Sequence, residues 1–156
     1  MGQIRPLGKD VVIFPHGSPL AVLTTAEAPW PAESSKALGM KFRGYRIDAL
    51  HQPILTYDFG LLAVEDFISP APIGERLAFH RTLNFSGAAP DGLHLRLATG
   101  KCSPESANTW RVNDVLTMKV VSADAPILRG AAGKQELIVP LRTHGDKARL
   151  EVDYAW

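Results

Sequence analysis

Cysteine is almost absent from this chain, since Cys102 is the only one among 156 residues. A single cysteine cannot form an internal disulfide, a CxxCH haem-attachment motif, a CxxC redox pair or a multi-cysteine zinc site. Apart from Lys101, no basic residue or histidine stands at motif spacing from it, so the sequence predicts an inert thiol. We expect this chain to bind no cofactor.

The chain also lacks a strong charge of either sign and any long apolar run. Its formal net charge is +1, and its lysines and arginines are scattered along the sequence. No apolar stretch approaches the roughly 18 residues of a membrane-spanning helix, and the first residues lack the apolar core of a signal peptide. These absences argue against nucleic acid and membranes as partners.

Long helical patterns are missing too, whereas turn residues are frequent. The chain has 13 glycines and 12 prolines, which separate short runs of alternating apolar and polar residues, a pattern typical of strands. The clearest alternation runs from 147 to 156. The strand candidates are Val11–Phe14, Leu20–Thr24, Lys41–Ile47, Ile54–Phe59, Leu61–Phe67, Leu77–Phe85, Leu93–Leu97, Trp110–Val112, Val115–Val121, Glu136–Leu141 and Ala148–Trp156.

These features predict an all-β fold: an antiparallel β-sandwich, jelly-roll or supersandwich-like, with about ten or more short strands and little helix. The length predicts one domain, residues 1–156, either whole or excised from a larger multidomain protein. Asp58-Phe59-Gly60 and Asn113-Asp114 are expected tight turns, because such residues tolerate positive φ. A single helical turn is expected after Ser34.

Carboxylates offer candidates for acid–base chemistry, but they complete no catalytic set. Glu65 and Asp66 are neighbours, so on a strand they point to opposite faces and cannot act together. Asp58 and Glu65 can face each other across a hairpin, as a glycosidase pair would. We expect these acids to bind arginines instead, because a buried acid needs such a partner. The candidate partners are Arg43, Arg46 and Arg81.

The five histidines show no HxH, HxxxH or HExxH spacing. His80 and His94 fall on predicted strands that follow one another, so a cross-strand pair is one possibility and solvent-facing positions are the other. We therefore expect no metal site and assign no catalytic residue.

Aromatic residues are the remaining candidates for ligand binding. Trp30 stands between two prolines, and Trp110 follows the segment SPESANT. Their rings would either stack on sugar rings or pack into the core. The candidate ligand-binding residues are Trp30, Tyr45, Tyr57 and Trp110 as platforms, with Asp58 and Glu65 as polar partners.

The segments PHGSPLAVL, APWP, FRGYRID, QPILTYDFG, VEDFISP and RTLNF occur in this order, before a closing Tyr-x-Trp. In these segments the chain resembles a β-sandwich accessory region found in large multidomain proteins of planctomycete-type (PVC) bacteria. Those proteins resemble haem-binding c-type cytochromes and sugar dehydrogenases. The resemblance implies a bacterial module, periplasmic or extracellular, that works near carbohydrate oxidation or breakdown. It carries over no catalytic residue, and without CxxCH the haem chemistry would not lie in this chain. The matching positions are Pro29-Trp30-Pro31, Gly44-Tyr45-Arg46, Pro53, Tyr57, Val64-Glu65-Asp66 and Trp156.

Three functions follow as expectations. The first is a non-catalytic accessory module that binds a glycan or a neighbouring domain of its parent protein. The alternative is a carbohydrate-active enzyme fragment, glycoside hydrolase or lyase-like, with an acid and a base from Asp58, Glu65, Asp66 or His80. The third is an interaction domain of an electron-transfer assembly, which requires a large exposed apolar patch. Aromatics that converge beside a carboxylate favour the first two, and dispersed aromatics favour the third.

Overall fold

The computed structural model describes residues 12–156, and every regular element in this range is a β-strand. The strands form two antiparallel sheets, which confirms the expected all-β antiparallel sandwich. In chain order they are β1 (Leu20–Val22), β2 (Met40–Ile47), β3 (Pro53–Phe59), β4 (Leu62–Pro70), β5 (Ala78–Ser86), β6 (Leu93–Gly100), β7 (Cys102–Ser106), β8 (Thr109–Val112), β9 (Leu116–Ser122), β10 (Ile127–Arg129), β11 (Gln135–Pro140) and β12 (Lys147–Ala155).

The strands divide unequally between the sheets. The small sheet has the order β1-β6-β11-β10, and the large sheet has the order β2-β3-β4-β5-β12-β9-β8-β7. The two sheets approach each other where β6 contacts β8 and β11 contacts β7. The edge strand β2 therefore lies at the far end of the large sheet from these contacts.

A core of apolar side chains fills the space between the sheets. Alternate residues of a strand point to one face, and the inward set on the central strands is almost fully buried. Leu83 and Phe85 of β5 and Leu150 and Val152 of β12 are each at most 2% exposed. The outward face of the same strands carries polar and charged residues, so these strands have one face buried in the core and one face exposed to solvent.

The sequence pattern misplaces one strand and misses two. Residues 12–14 form no strand, and Val11 lies outside the described residues; Phe14 instead packs its ring against Tyr154. The missed strands are β7, which contains Pro104, and β10, which has three residues. Both are edge strands, where a proline and a short length are tolerated because one side of the strand is unpaired.

The predicted turns are mostly correct. Asn113 and Asp114 have φ values of 51° and 58°, which confirms the tight turn between β8 and β9. The amide of Ala37 donates to the Ser34 hydroxyl at 3.2 Å, within the expected single turn. The β3–β4 turn starts later than predicted, because buried Phe59 stays in β3 and Gly60 begins the turn.

Candidate functional site

The four candidate platform aromatics do not share a surface. Trp30 packs on the outer face of the small sheet, where its indole N–H donates to the Ser18 carbonyl at 3.0 Å. Trp110 and Tyr57 are buried between the sheets, and burial raises the pKa of Tyr57 above its usual value. Tyr45 of β2, by contrast, is 66% exposed. This set therefore forms no concave aromatic platform.

Asp58 and Glu65 lie on the outer face of the large sheet, and each binds an arginine as expected. Asp58 accepts from Arg43 Nε at 2.5 Å, and Glu65 accepts from Arg46 at 3.3 Å. Asp58 is paired with Ala63 in the ladder, two residues before Glu65, so the two acids are diagonal neighbours on an open sheet face. Both are engaged by cations, which does not suit an acid–base pair.

Asp66 points inward and forms a buried ion pair with Arg81. Arg81 donates to both carboxylate oxygens, from Nε at 2.8 Å and from Nη2 at 2.6 Å. The Phe14 ring covers the guanidinium at 4.6 Å, and the Tyr154 hydroxyl lies 3.4 Å from Nη1. Burial lowers the pKa of Arg81, but its bonds to Asp66 and Tyr154 outweigh burial and the net pKa is raised. Both carboxylate oxygens of Asp66 are therefore bound within the core, as in a structural ion pair.

An apolar strip is exposed where the inward face of the large sheet continues past the small sheet. It consists of Phe42, Tyr45 and Ile47 of β2 and Leu55 of β3, which are 64%, 66%, 51% and 41% exposed. Phe42 is paired with buried Tyr57, and Tyr45 is paired with Leu55, so the apolar strip continues the face that carries the core. Along β3, Tyr57 is buried and Leu55 is exposed, so the small sheet stops covering the large sheet between these two residues.

The size of the apolar strip distinguishes it from scattered surface residues. A large aromatic side chain offers about 150–250 Å², so with these exposures the strip presents on the order of 400 Å². The largest apolar patch on a typical monomer is about 300–600 Å² and is often functional. Leu50, in the turn after β2, is exposed as well, at 75%.

The edge of β2 carries features that discourage the addition of another strand. The register shifts between Phe42 and Gly44, so Arg43 forms a bulge, and Gly44 has φ +125°, which other residues rarely adopt. Lys41 and Arg46 add further charge to the strand. Bulges and basic residues protect sheet edges from uncontrolled pairing. A partner is therefore better received on the face that carries the apolar strip than along the edge.

His80 is held between two carboxylates on the outer face of the large sheet. Its Nδ1 lies 2.6 Å from Asp153, and its Nε2 lies 3.2 Å from Glu151. Both ring nitrogens donate only in the imidazolium. The bond to Asp153 raises the pKa of His80 most, while burial lowers it and Glu151 adds to the rise. Of the two possibilities left open by the sequence, a cross-strand pair with His94 does not form, because His94 lies on β6 in the other sheet.

Within residues 12–156, no group of three or more His, Cys, Asp and Glu side chains is arranged to hold a metal ion. Cys102 is 3% exposed, and burial raises the pKa of its thiol, which keeps it protonated and unreactive. The same residues contain no helix that could span a membrane.

Comparison with known proteins identifies no relative: no family model, no curated protein and no solved structure matches the chain. The family resemblance inferred from the sequence stays a prediction. The functional argument therefore depends on the geometry of the described residues.

Proposed function

We propose that this chain is a non-catalytic interaction module that docks a protein partner on its apolar strip. The observation that carries the proposal is the exposure of Phe42, Tyr45, Ile47 and Leu55 on a continuation of the core face. Water contact with so much contiguous apolar surface is unfavourable, and covering it is the main driving force of protein association.

The composition of the apolar strip favours a protein over a glycan as its occupant. A sugar-binding platform needs polar groups beside the rings to bind hydroxyls. Here Tyr45 is flanked by Ile47 and Leu55, while the nearest acid on the same face, Asp66, is committed to Arg81. Aliphatic and aromatic side chains together resemble the apolar centre of a protein interface.

The charges along β2 define the chemistry of the partner. Arg43 and Arg46 already bind Asp58 and Glu65 on the outer face. Lys41, on the same edge strand, takes part in none of the ion pairs formed within residues 12–156. We therefore infer a partner with an apolar centre and an acidic group at its border that reaches Lys41. A stable interface buries about 800 Å² per partner, which is about twice the area of the strip. The basic edge and the turn after β2 would supply the remainder.

The resemblance to accessory regions of exported multidomain proteins supports a neighbouring domain of a parent protein as the partner. We propose that this parent is a periplasmic or extracellular protein of carbohydrate processing or electron transfer. Cell fractionation with an antibody against this chain tests the location, and a purely cytoplasmic signal would contradict it.

A photo-crosslinking amino acid at Tyr45 tests the docking proposal in the host cell. We expect one discrete crosslinked protein or one internal crosslink to a flanking domain, identified by mass spectrometry. The matched control carries the same amino acid at Leu61, which is 89% exposed in the β3–β4 turn.

The adduct should be absent at position 61 and should weaken when Lys41→Glu is added to the position-45 variant. Equal, heterogeneous adducts from both positions would refute a specific docking face. An adduct that contains only a second copy of this chain would replace the proposed partner with self-assembly.

A further inference from the structure

A cleft of about 710 Å³ lies at one end of the large sheet, within the range of about 300–1,000 Å³ that is usual for small-ligand sites. Its floor is the outer sheet face, where Glu65, Asn84 and Arg149 form one cross-strand row. Ser86 and Lys147 form the next row. Side chains in such rows have Cβ atoms about 5 Å apart, so one small molecule can reach several of them.

The wall of the cleft adds further positive charge. Arg142 and His144, from the loop between β11 and β12, line the same cleft. The backbone of His144 is bonded to that of Lys147, with the amide of His144 donating to the Lys147 carbonyl at 2.8 Å. This bond ties the loop to the start of β12. Among the described residues, the cleft therefore gathers three permanent cations and a histidine against one acid, Glu65.

Two of these cations have no anionic partner among the described residues. Glu65 is bound by Arg46, and Arg149 is bound by Glu151 at 2.9 Å. Arg142 and Lys147 take part in none of the ion pairs formed within residues 12–156. Arg43, Arg46 and Arg149 on this face are already held in ion pairs, whereas the two uncommitted charges at the cleft suit an external anion.

We propose that this cleft binds an acidic saccharide, whose carboxylate or sulfate group is held by Arg142 and Lys147. The Asn84 amide, the Ser86 hydroxyl and the Glu65 carboxylate are placed to exchange hydrogen bonds with sugar hydroxyls. A bare inorganic anion would use the cations but would gain nothing from these groups. The mixture of cations with neutral and acidic hydrogen-bonding groups is what selects a saccharide.

The inference is independent of the docking proposal, because the cleft and the apolar strip lie on opposite faces of the large sheet. Nucleic acid is disfavoured as the ligand, since among residues 12–156 no Phe, Tyr or Trp side chain is exposed in the cleft and the net charge of the chain is only +1.

Isothermal titration calorimetry of the full chain tests the proposal with named probes. The acidic probes are trigalacturonic acid, which carries only carboxylates, and a sulfated carrageenan disaccharide, which carries sulfate and no carboxylate. Neutral galactotriose and inorganic phosphate serve as comparisons. We expect at least one acidic probe to bind about tenfold or more tightly than both comparisons, and to weaken as salt rises.

The variants locate the binding. Arg142→Ala with Lys147→Ala should weaken the acidic probe by about tenfold or more, whereas Lys134→Ala, an exposed lysine in the turn before β11, should not. Asn84→Asp should weaken it as well, because it adds a negative charge to the floor. Tyr45→Ser should leave the affinity unchanged, which keeps this result separate from the docking test.

Several results would overturn the proposal. Phosphate that binds as tightly as the saccharides would indicate a simple anion site, and equally tight galactotriose would remove the role of the cations. Failure of both acidic probes, or an unchanged affinity in the Arg142→Ala, Lys147→Ala chain, would also reject it. Should that double variant not fold, Arg142→Gln alone gives the same comparison.

Discussion

At the scale of single residues, the Asp66–Arg81 pair is the most consequential polar contact. Arg81→Met leaves the Asp66 carboxylate unpaired between the sheets, where both residues are less than 10% exposed. We expect this change to lower the free energy of unfolding by about 3–5 kcal/mol, measured by urea denaturation. Asp66→Leu with Arg81→Met should recover much of the loss, because it removes both charges. An Arg81→Met variant whose free energy of unfolding lies within about 1 kcal/mol of the parent would contradict the account.

His80 gives a prediction for pH dependence. Its pKa is raised in the folded chain by Asp153 and Glu151, so its contribution to stability is complete below the unfolded value of about 6.5. That contribution should fade as pH rises through the folded pKa. The charged neighbours are Lys119, opposite Asp153, and Arg149, bound to Glu151.

The test of His80 compares the parent with His80→Gln by urea unfolding at pH 5.5 and pH 9. We expect the parent to be more stable than the variant at the lower pH, by less than about 1 kcal/mol because the contacts are partly exposed. The difference should shrink at the higher pH. A difference in unfolding free energy between parent and variant that grows with pH would contradict the raised pKa of His80.

At the scale of elements, the β5–β6 connection is fixed by Gly87. Its φ is +105°, and a Cβ there would lie 2.6 Å from the Leu61 carbonyl oxygen in the β3–β4 turn. We expect Gly87→Ala to cost about 2–4 kcal/mol in thermal or urea unfolding. Gly145→Ala is the matched control, since φ is +68° there and nothing lies near the Cβ. Equal losses in the two variants would remove the steric argument.

The sequence predicts those elements whose two faces differ in polarity. β12 and β5 alternate apolar and polar residues, and both were predicted because one face is buried. β7 and β10 were missed because edge strands bury little and need no alternation. The acid–arginine pairs could also be predicted, since strand geometry separates Glu65 from Asp66 and burial requires a partner.

The apolar strip and the cleft could not be predicted in the same way. Both depend on where the small sheet stops covering the large one and on which loop reaches β12, and such long-range placements leave no local pattern. In FRGYRI, Phe42 and Tyr45 are three residues apart, so only the bulge at Arg43 puts their side chains on one face. The sequence shows neither the bulge nor whether that face is covered. Basic residues stand close together in RTHGDKAR, but the sequence alone does not single them out, and only the sheet register brings Glu65 and Asn84 beside them.

At the scale of the whole molecule, the unequal sheets create the exposed apolar surface. Phe42→Ser with Tyr45→Ser should abolish most binding of a hydrophobic dye such as anilinonaphthalene sulfonate, because it removes both aromatic rings of the apolar strip. Stability should change by less than about 1 kcal/mol, since these side chains are mostly exposed. Leu61→Ser is the control and should leave dye binding unchanged. Dye binding that persists in the double variant would place the accessible apolar surface elsewhere.

The central claim is that a protein partner covers the apolar strip, and hydroxyl-radical footprinting tests it without knowledge of the partner. Oxidation of Phe42 and Tyr45 is compared between the purified chain and the chain in its host cell, with Leu61 as the exposed reference. The account predicts strong oxidation of both aromatics in the purified chain and several-fold protection in the cell, with Leu61 equally oxidised in both. Equal oxidation of Phe42 and Tyr45 in the two settings would contradict it.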